Sequence, residues 1–168
     1  SEAKTSVDLN RAIQNTLAVS TNLYRDVATI ETSLDDTIPT VPAIEAKINQ
    51  AVLNVLANAV EAIAEQESDH EGHIHITTEN GTDCVELRIR DNGPGIPSAI
   101  QNRIFDPFFT TKEVGKGTGQ GLAFVYDVIV NKHHGAVRVT SNPPEGTTFY
   151  ISLPISTTAE QSSDRREH

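Results

Sequence analysis

The chain has 168 residues, 37% of them hydrophobic and 21% charged, with a formal charge of −10, which is length enough for one domain core but not comfortably for two. No apolar run approaches the roughly 20 residues of a bilayer span, no secretory succession opens the chain, and Cys84, the single cysteine, has no disulfide partner. The expectation is a soluble domain of a reducing cytoplasm; the acidic balance and lack of a basic stripe exclude nucleic acid as a partner, and any anionic ligand needs local help.

In chain order, a short strand at Ser6-Val7 precedes a helix predicted from Asp8 to about Tyr24, where Leu9, Ile13, Leu17, Val19 and Leu23 recur at near-helical spacing. Alternation from Val27 to Leu34 predicts a strand, closed by a turn at Asp35-Asp36. Pro42 suits a first helical position, and the run from there to about Gln66 predicts the long central helix. Ile74 and Ile76 alternate with His73 and His75, and Val85, Leu87 and Ile89 alternate with Cys84, Glu86, Arg88 and Arg90. The Asn80-Gly81 pair between the two runs predicts a hairpin that ends at Asp91.

The segment from Asn92 to Gly119 is too long, and too rich in glycine, proline and aromatic residues, to be a plain connector. Gly121 to His133 predicts a helix closed by Gly135 in a left-handed cap. Two last strands, Ala136 to Ser141 and Thr147 to Leu153, meet at Asn142-Pro143-Pro144-Glu145-Gly146. Helices mixed with hairpins predict a two-layer α/β sandwich whose mixed, mainly antiparallel sheet packs on about three helices. Residues 1–155 form this domain, and 156–168 are a polar tail expected to be disordered.

Three stretches carry chemistry. On a helical wheel Lys47, Gln50, Asn54, Asn58, Glu61 and Glu65 share one narrow stripe of the central helix. A solvated face accounts for such a stripe, yet asparagine is a poor interior helix former, so two of them one turn apart suggest that a carboxamide is wanted for ligand or metal. Asp91-Asn92-Gly93-Pro94-Gly95-Ile96 follows a strand. It is either a tight turn or a carboxylate that accepts from an exocyclic amine while two glycines let the backbone approach a flat ring. Gly115-Lys116-Gly117-Thr118-Gly119-Gln120-Gly121-Leu122 runs straight into a helix. Alternating glycines expose backbone amides to phosphates and the helix amino end adds positive charge. The run is neither a Walker loop nor a dinucleotide fingerprint.

Taken together, Asn54-Val55-Leu56-Ala57-Asn58-Ala59, Asp91-x-Gly-x-Gly, Phe105-Asp106-Pro107-Phe108-Phe109-Thr110-Thr111-Lys112, the glycine run and Gly146-Thr147-Thr148-Phe149 resemble the successive boxes of the catalytic domain of sensor histidine kinases. That domain belongs to the superfamily shared with gyrase, mismatch-repair ATPases and the ninety-kilodalton heat-shock chaperone. The resemblance covers about Val7 to Pro154. It implies ATP and Mg²⁺ as ligands. It implies that Asn58 is the metal ligand, with Asn54 and Asn58 as the catalytic pair near the phosphates. It implies that Asp91 holds the adenine amine, supported through water by Thr147, with Gly93, Gly95 and Ile96 around the ring. Lys112, Lys116, Gly117, Thr118, Gly119, Gly121 and Leu122 complete the implied nucleotide contacts, within a lid of about Asp106 to Gly119 hinged on Phe105, Phe108 and Phe109. Core packing explains each phenylalanine equally well.

Hydrolysing relatives carry a glutamate where this chain has Asn54, which cannot act as a general base. The resemblance therefore implies transfer to a histidine rather than hydrolysis, because phosphoryl transfer needs chiefly positioning and charge neutralisation. Gln120 and Glu61 depart from the family pattern, and Glu61 near phosphates would oppose ATP unless it faces metal or solvent. The implied partners are a dimerisation domain that carries the phosphoacceptor histidine and, downstream, a response regulator receiver. The fragment by itself is expected to be monomeric and unable to phosphorylate itself, since His70-Glu71 lies in a loop, His73 and His75 lie on an exposed strand face, and His133-His134 sit at a helix end. The competing readings are a nucleotide-gated binding module without transfer and a superfamily ATPase or serine kinase.

Overall fold

The computed structural model describes residues 3–66, 70–107, 109 and 121–156. Strand β1 (Thr5–Val7) leads to helix α1 (Leu9–Val19), whose start is capped by the Asp8 carboxylate accepting from the Arg11 amide at 3.2 Å. Leu9, Ala12, Ile13 and Thr16 of α1 are buried. The single helix predicted to Tyr24 is interrupted at Ser20, whose hydroxyl donates to the Thr16 carbonyl at 2.6 Å. Such back-bonding competes with the helical ladder, and the chain resumes as the one-turn α2 (Thr21–Tyr24). Val19, expected to share the apolar spacing, is 86% exposed.

Strands β2 (Ala28–Leu34) and β3 (Val41–Ala43) follow. Pro42 does not open the central helix. It sits in β3 opposite Ser6 of β1, in a separate two-stranded antiparallel ribbon where an edge proline withholds no needed donor. Helix α3 spans Glu45–Glu65 and turns Ile48, Ala51, Val52, Val55, Leu56, Ala59 and Val60 inward. Strands β4 (Gly72–Asn80) and β5 (Cys84–Asp91) form the predicted hairpin, with the left-handed residue at Asp83 (φ 59).

A short 3₁₀ turn covers Gln101–Arg103. Helix α4 (Gly121–Tyr126) then continues into a π-helical stretch, Asp127–Lys132, before β6 (Ala136–Ser141) and β7 (Thr147–Pro154). The left-handed residue after α4 is His134 (φ 58), not Gly135. Gly135 is required for space, since a Cβ there would overlap the Ser152 carbonyl oxygen of β7.

The five-stranded sheet has the order β2-β4-β5-β7-β6. Only the β2–β4 pair, whose connection contains α3, is parallel. This is the expected two-layer α/β sandwich with a mixed, mainly antiparallel sheet. Ile74, Ile76, Leu87, Ile89, Phe149 and Ile151 face the helices, while Phe105 meets Phe149 edge-on at 6.1 Å. Phe105 thus packs on the core, Phe109 lies beneath the Arg103 guanidinium at 5.1 Å, and Phe108 falls outside the described residues, as does the tail from residue 157.

His133 ties the layers together rather than acting as a cation at a helix end. It is 2% exposed. Its Nε2 accepts from the Ile44 amide at 3.0 Å, where α3 begins, and its Nδ1 donates to the Val128 carbonyl at 2.8 Å. Those partners require a neutral ring, and burial holds its pKa below the ordinary value. A depressed histidine pKa contributes stability that is complete above the unfolded value of about 6.5 and is lost as pH falls below it. The stability advantage of the native chain over His133→Gln, measured by urea unfolding, is expected to shrink as the pH is lowered from about 7.5 to about 5.5.

Candidate functional site

Three residues form one row across three strands at one end of the sheet: Asp91 closes β5 opposite Thr147, which opens β7 opposite Ser141, the last residue of β6. Asp91 is 3% exposed and Thr147 5%. The Asp91 Oδ1 accepts from the Gly93 amide at 2.8 Å. Burial nevertheless pushes its carboxyl up to about 6, against the lowering effect of the Gly93 and Thr147 amides. Holding it ionised at neutral pH costs the fold about 3 kcal/mol. No cation among the described residues shifts it, and a buried carboxylate of that kind is a candidate acceptor for a ligand that donates hydrogen bonds.

The loop after Asp91 is moulded by its glycines. A Cβ on Gly93 would stand 3.0 Å from the Asp91 Oδ1 and 3.4 Å from the Ala62 Cβ, so the chain lies flush against the end of α3. Gly95 has φ 85, and a Cβ there would press on Pro143 at 3.0 Å. The Ile96 amide donates to the Ser141 hydroxyl at 2.6 Å. Asn92 turns away from this site, accepting from the His73 amide and donating to the Glu71 carbonyl, both at 2.8 Å, and so anchors the start of β4.

The predicted polar stripe of α3 exists, with Gln50, Glu61 and Glu65 exposed and Asn54 and Asn58 half-buried. The Asn54 Nδ2 donates to the Gly121 carbonyl at 3.1 Å, and its Oδ1 accepts from Gln50 at 2.7 Å. Asn54 therefore joins α3 to the first residue of α4, where the glycine run ends. Asn58 makes no side-chain hydrogen bond with any described residue, which leaves a hard oxygen uncommitted. Among the described residues no group of three His, Cys, Asp or Glu could hold a metal by itself, so a cation here would take most of its ligands from phosphates and water, as Mg²⁺ does. The residues fit that ion.

Along α3 the Asp91 loop touches Ala62, Asn58 follows one turn away, and Asn54 with Gly121 comes one turn further. The eight residue steps from Ala62 to Asn54 span about 12 Å. Leu122 is half-buried and packs on the core. Lys112, Lys116, Gly117, Thr118 and Gly119 lie outside the described residues. A groove of ≈ 390 Å³ lies on the uncovered face of the sheet, between Arg88, Arg90, Thr148 and Tyr150, and reaches Ser141, Gly146 and Thr147 at the same sheet end; Asp91, Asn54 and Asn58 do not line it.

Sequence reasoning missed Ser141 and Gln101. The Gln101 side chain donates to the Ile96 carbonyl at 2.8 Å and the Ser141 carbonyl at 3.3 Å. Neither residue stands in a recognisable motif, and no local signal marked them.

Residues 43–157 match the family model for histidine kinase-, DNA gyrase B- and HSP90-like ATPases. The chain is 39% identical over 157 residues to the signal transduction histidine-protein kinase AtoS of Escherichia coli (strain K12), covering 92% of this chain and 24% of AtoS. Among solved structures, the catalytic domain of histidine kinase ThkA superposes with a TM-score of 0.77 at 29% identity, covering 92% of this chain and 97% of that one. ThkA in complex with the response regulator protein TrrA gives 0.74 at 27% identity, covering 91% of this chain and 42% of that one. Full-length ShkA in complex with AMPPNP gives 0.79 at 25% identity, covering 94% and 32%. This chain thus spans about a quarter of the length of AtoS.

Proposed function

The chain belongs to the histidine kinase-, DNA gyrase B- and HSP90-like ATPase family, homologous to the ATP-binding catalytic domains of sensor histidine kinases, and from that membership we propose that it transfers the γ-phosphoryl of Mg·ATP to a histidine on a helical dimerisation domain. The observation that carries this reading is the placement along α3: a buried acceptor at Asp91 for the base, an uncommitted oxygen at Asn58, and Asn54 beside the start of α4, spaced as a nucleotide's base and phosphates are.

In this reading the base amine donates to the Asp91 carboxylate. Asn58 would hold Mg²⁺, which when bound would neutralise charge on the phosphates. Asn54, already donating to Gly121, keeps the phosphate end of α3 against α4. The imidazole nitrogen of the acceptor bonds to the γ-phosphorus as the bond to the ADP oxygen breaks, and ADP leaves with that oxygen's charge. No residue on the α3 stripe near Asn54 and Asn58 other than the exposed Glu61 could serve as a base, and transfer to a nucleophilic imidazole requires none. The phosphoryl group then passes to an aspartate of a response regulator; the complex of the relative ThkA with TrrA supports such a partner. No described helix is long and apolar enough to cross a membrane.

The test mixes the chain with γ-labelled ATP, Mg²⁺ and the helical domain that bears the acceptor histidine. Acid-labile, base-stable label on that domain is the expected product. Nucleotide binding without any transfer would instead favour a nucleotide-gated binding module. Asn58→Ala is expected to keep metal-free ADP affinity within about threefold while losing at least about 100-fold in Mg²⁺-dependent transfer, as removal of an interaction worth about 3 kcal/mol in the transition state does. Wild-type transfer by Asn58→Ala would remove Asn58 from the metal site.

A further inference from the structure

We propose that Ser141 sets the preference for a 6-amino over a 6-oxo purine, by fixing which way the Thr147 hydroxyl donates. The inference rests on the reading of Asp91 as the base-binding acceptor.

A serine hydroxyl has one hydrogen to give and two lone pairs. The Ser141 Oγ donates to the Gly146 carbonyl at 3.0 Å and accepts from the Ile96 amide at 2.6 Å. It also lies 3.0 Å from the Thr147 Oγ1. With its own hydrogen spent on Gly146, Ser141 can complete that contact only by accepting the threonine's hydrogen. Thr147 then has lone pairs alone to offer a ligand or an ordered water.

Asp91 stands in the next position of the same row, and its carboxylate is likewise acceptor-only when ionised. Two adjacent acceptors, 3% and 5% exposed, favour an exocyclic amine and oppose a carbonyl oxygen, whose lone pairs would face theirs. In so desolvated a place an unmatched polar contact is costly. Gln101 holds Ser141 and Ile96 from the other side, so the hub cannot drift to relieve the conflict. Removing the Ser141 hydroxyl frees the Thr147 hydrogen to turn towards the ligand, and a 6-oxo group then finds a donor.

ADP and IDP carry this difference at the purine 6-position, and their affinities can be compared by displacement of a fluorescent ATP analogue from the 168-residue chain. Ser141→Ala is expected to lower the ratio of ADP to IDP affinity about three- to tenfold, the value of one hydrogen bond, and Ser141→Thr, which keeps the hydroxyl, to preserve it. Thr147→Val reaches the same question without touching Ser141 and is expected to lower the ratio by a similar factor. Ser141→Ala that weakens both nucleotides equally, or neither, overturns the inference and leaves Ser141 as a loop anchor. An unchanged ratio in Thr147→Val overturns it as well. Asp91→Asn separates the two levels: undiminished ADP affinity there removes the base site itself, whereas its loss beside an unchanged Ser141→Ala ratio removes only the role given to Ser141.

Discussion

Asp91→Asn is expected to weaken ADP binding about 100-fold by calorimetry while making the unliganded domain more stable. The first effect follows from the loss of a hydrogen bond to a charged group, worth about 1.5–3 kcal/mol. It is compounded if the carboxamide turns its NH₂ towards a base that itself presents an amine. The second effect follows from burial. The Asp91 carboxyl titrates at about 6 because it is desolvated, so the folded state binds its proton more tightly than the unfolded chain does. A raised carboxyl pKa contributes stability that is complete below the unfolded value of about 4 and is lost as pH rises through about 6. At neutral pH the carboxylate is therefore a burden, and the neutral asparagine, which can still accept from the Gly93 amide, should return about 1–3 kcal/mol in urea unfolding.

The same titration predicts the pH dependence of binding. Only the ionised carboxylate accepts from the amine without giving up a lone pair to its own proton, so ADP affinity should fall towards tenfold per pH unit below about 6. That slope should vanish in Asp91→Asn. A variant that loses both stability and affinity would mean that the carboxylate is structural.

Gly146→Ala has the largest expected effect on stability. Gly146 adopts φ 121, a region that costs any residue with a Cβ of order 1–3 kcal/mol. The added methyl would also overlap the Asp91 carbonyl oxygen and stand 3.1 Å from the Asn92 Cα. Both obstacles are backbone, so neither can swing aside as a flexible side chain would, and overpacking adds a further 1–3 kcal/mol or so. Together they should cost about 3–5 kcal/mol, a large share of the 5–15 kcal/mol or so that holds a domain together. Thermal unfolding would register a fall of about 10 °C or more. The fraction that still folds should bind ADP poorly, since the atoms displaced belong to Asp91 and Asn92. Gly121→Ala is the contrast: no described residue lies within 4 Å of a Cβ at that position, and its stability should stay within about 0.5 kcal/mol. Equal losses in the two variants would show that backbone crowding at Gly146 is not the cause.

Periodicity carried the sequence reading where burial was one-sided and local. The inward face of α3, the alternation of β4, β5 and β7, and the Asp91 loop could be read because each is dictated by residues a turn or a pleat apart. The glycines of the Asp91 loop could be read for the same reason, since backbone that approaches a neighbour closely must shed its side chain nearby. The family boxes implied roles for Asn54, Asn58, Asp91 and Thr147 that no periodicity could suggest.

Tertiary structure decided what depends on distant partners. Pro42 satisfies every local rule for opening a helix, yet pairing with Ser6 across the β1–β3 ribbon placed it in a strand. Gly135 looked like a conformational glycine and proved to be a steric one, needed because β7 passes beside it. His133 reaches Ile44 across 89 residues, Asn54 reaches Gly121 across 67, and Ser141 reaches Ile96 across 45. A hydrogen bond of that kind leaves no mark on the residues beside it in the chain, because the propensity of serine or histidine at a strand end or helix end is the same whether or not the partner arrives. Local pattern was therefore enough for most of the elements, for the sheet-and-helix class and for the place of Asp91 at the end of a strand. Packing was needed to place the side chains behind Asp91, since closure of the β5-β7-β6 row alone brings the Ser141 hydroxyl to within 3.0 Å of the Thr147 hydroxyl.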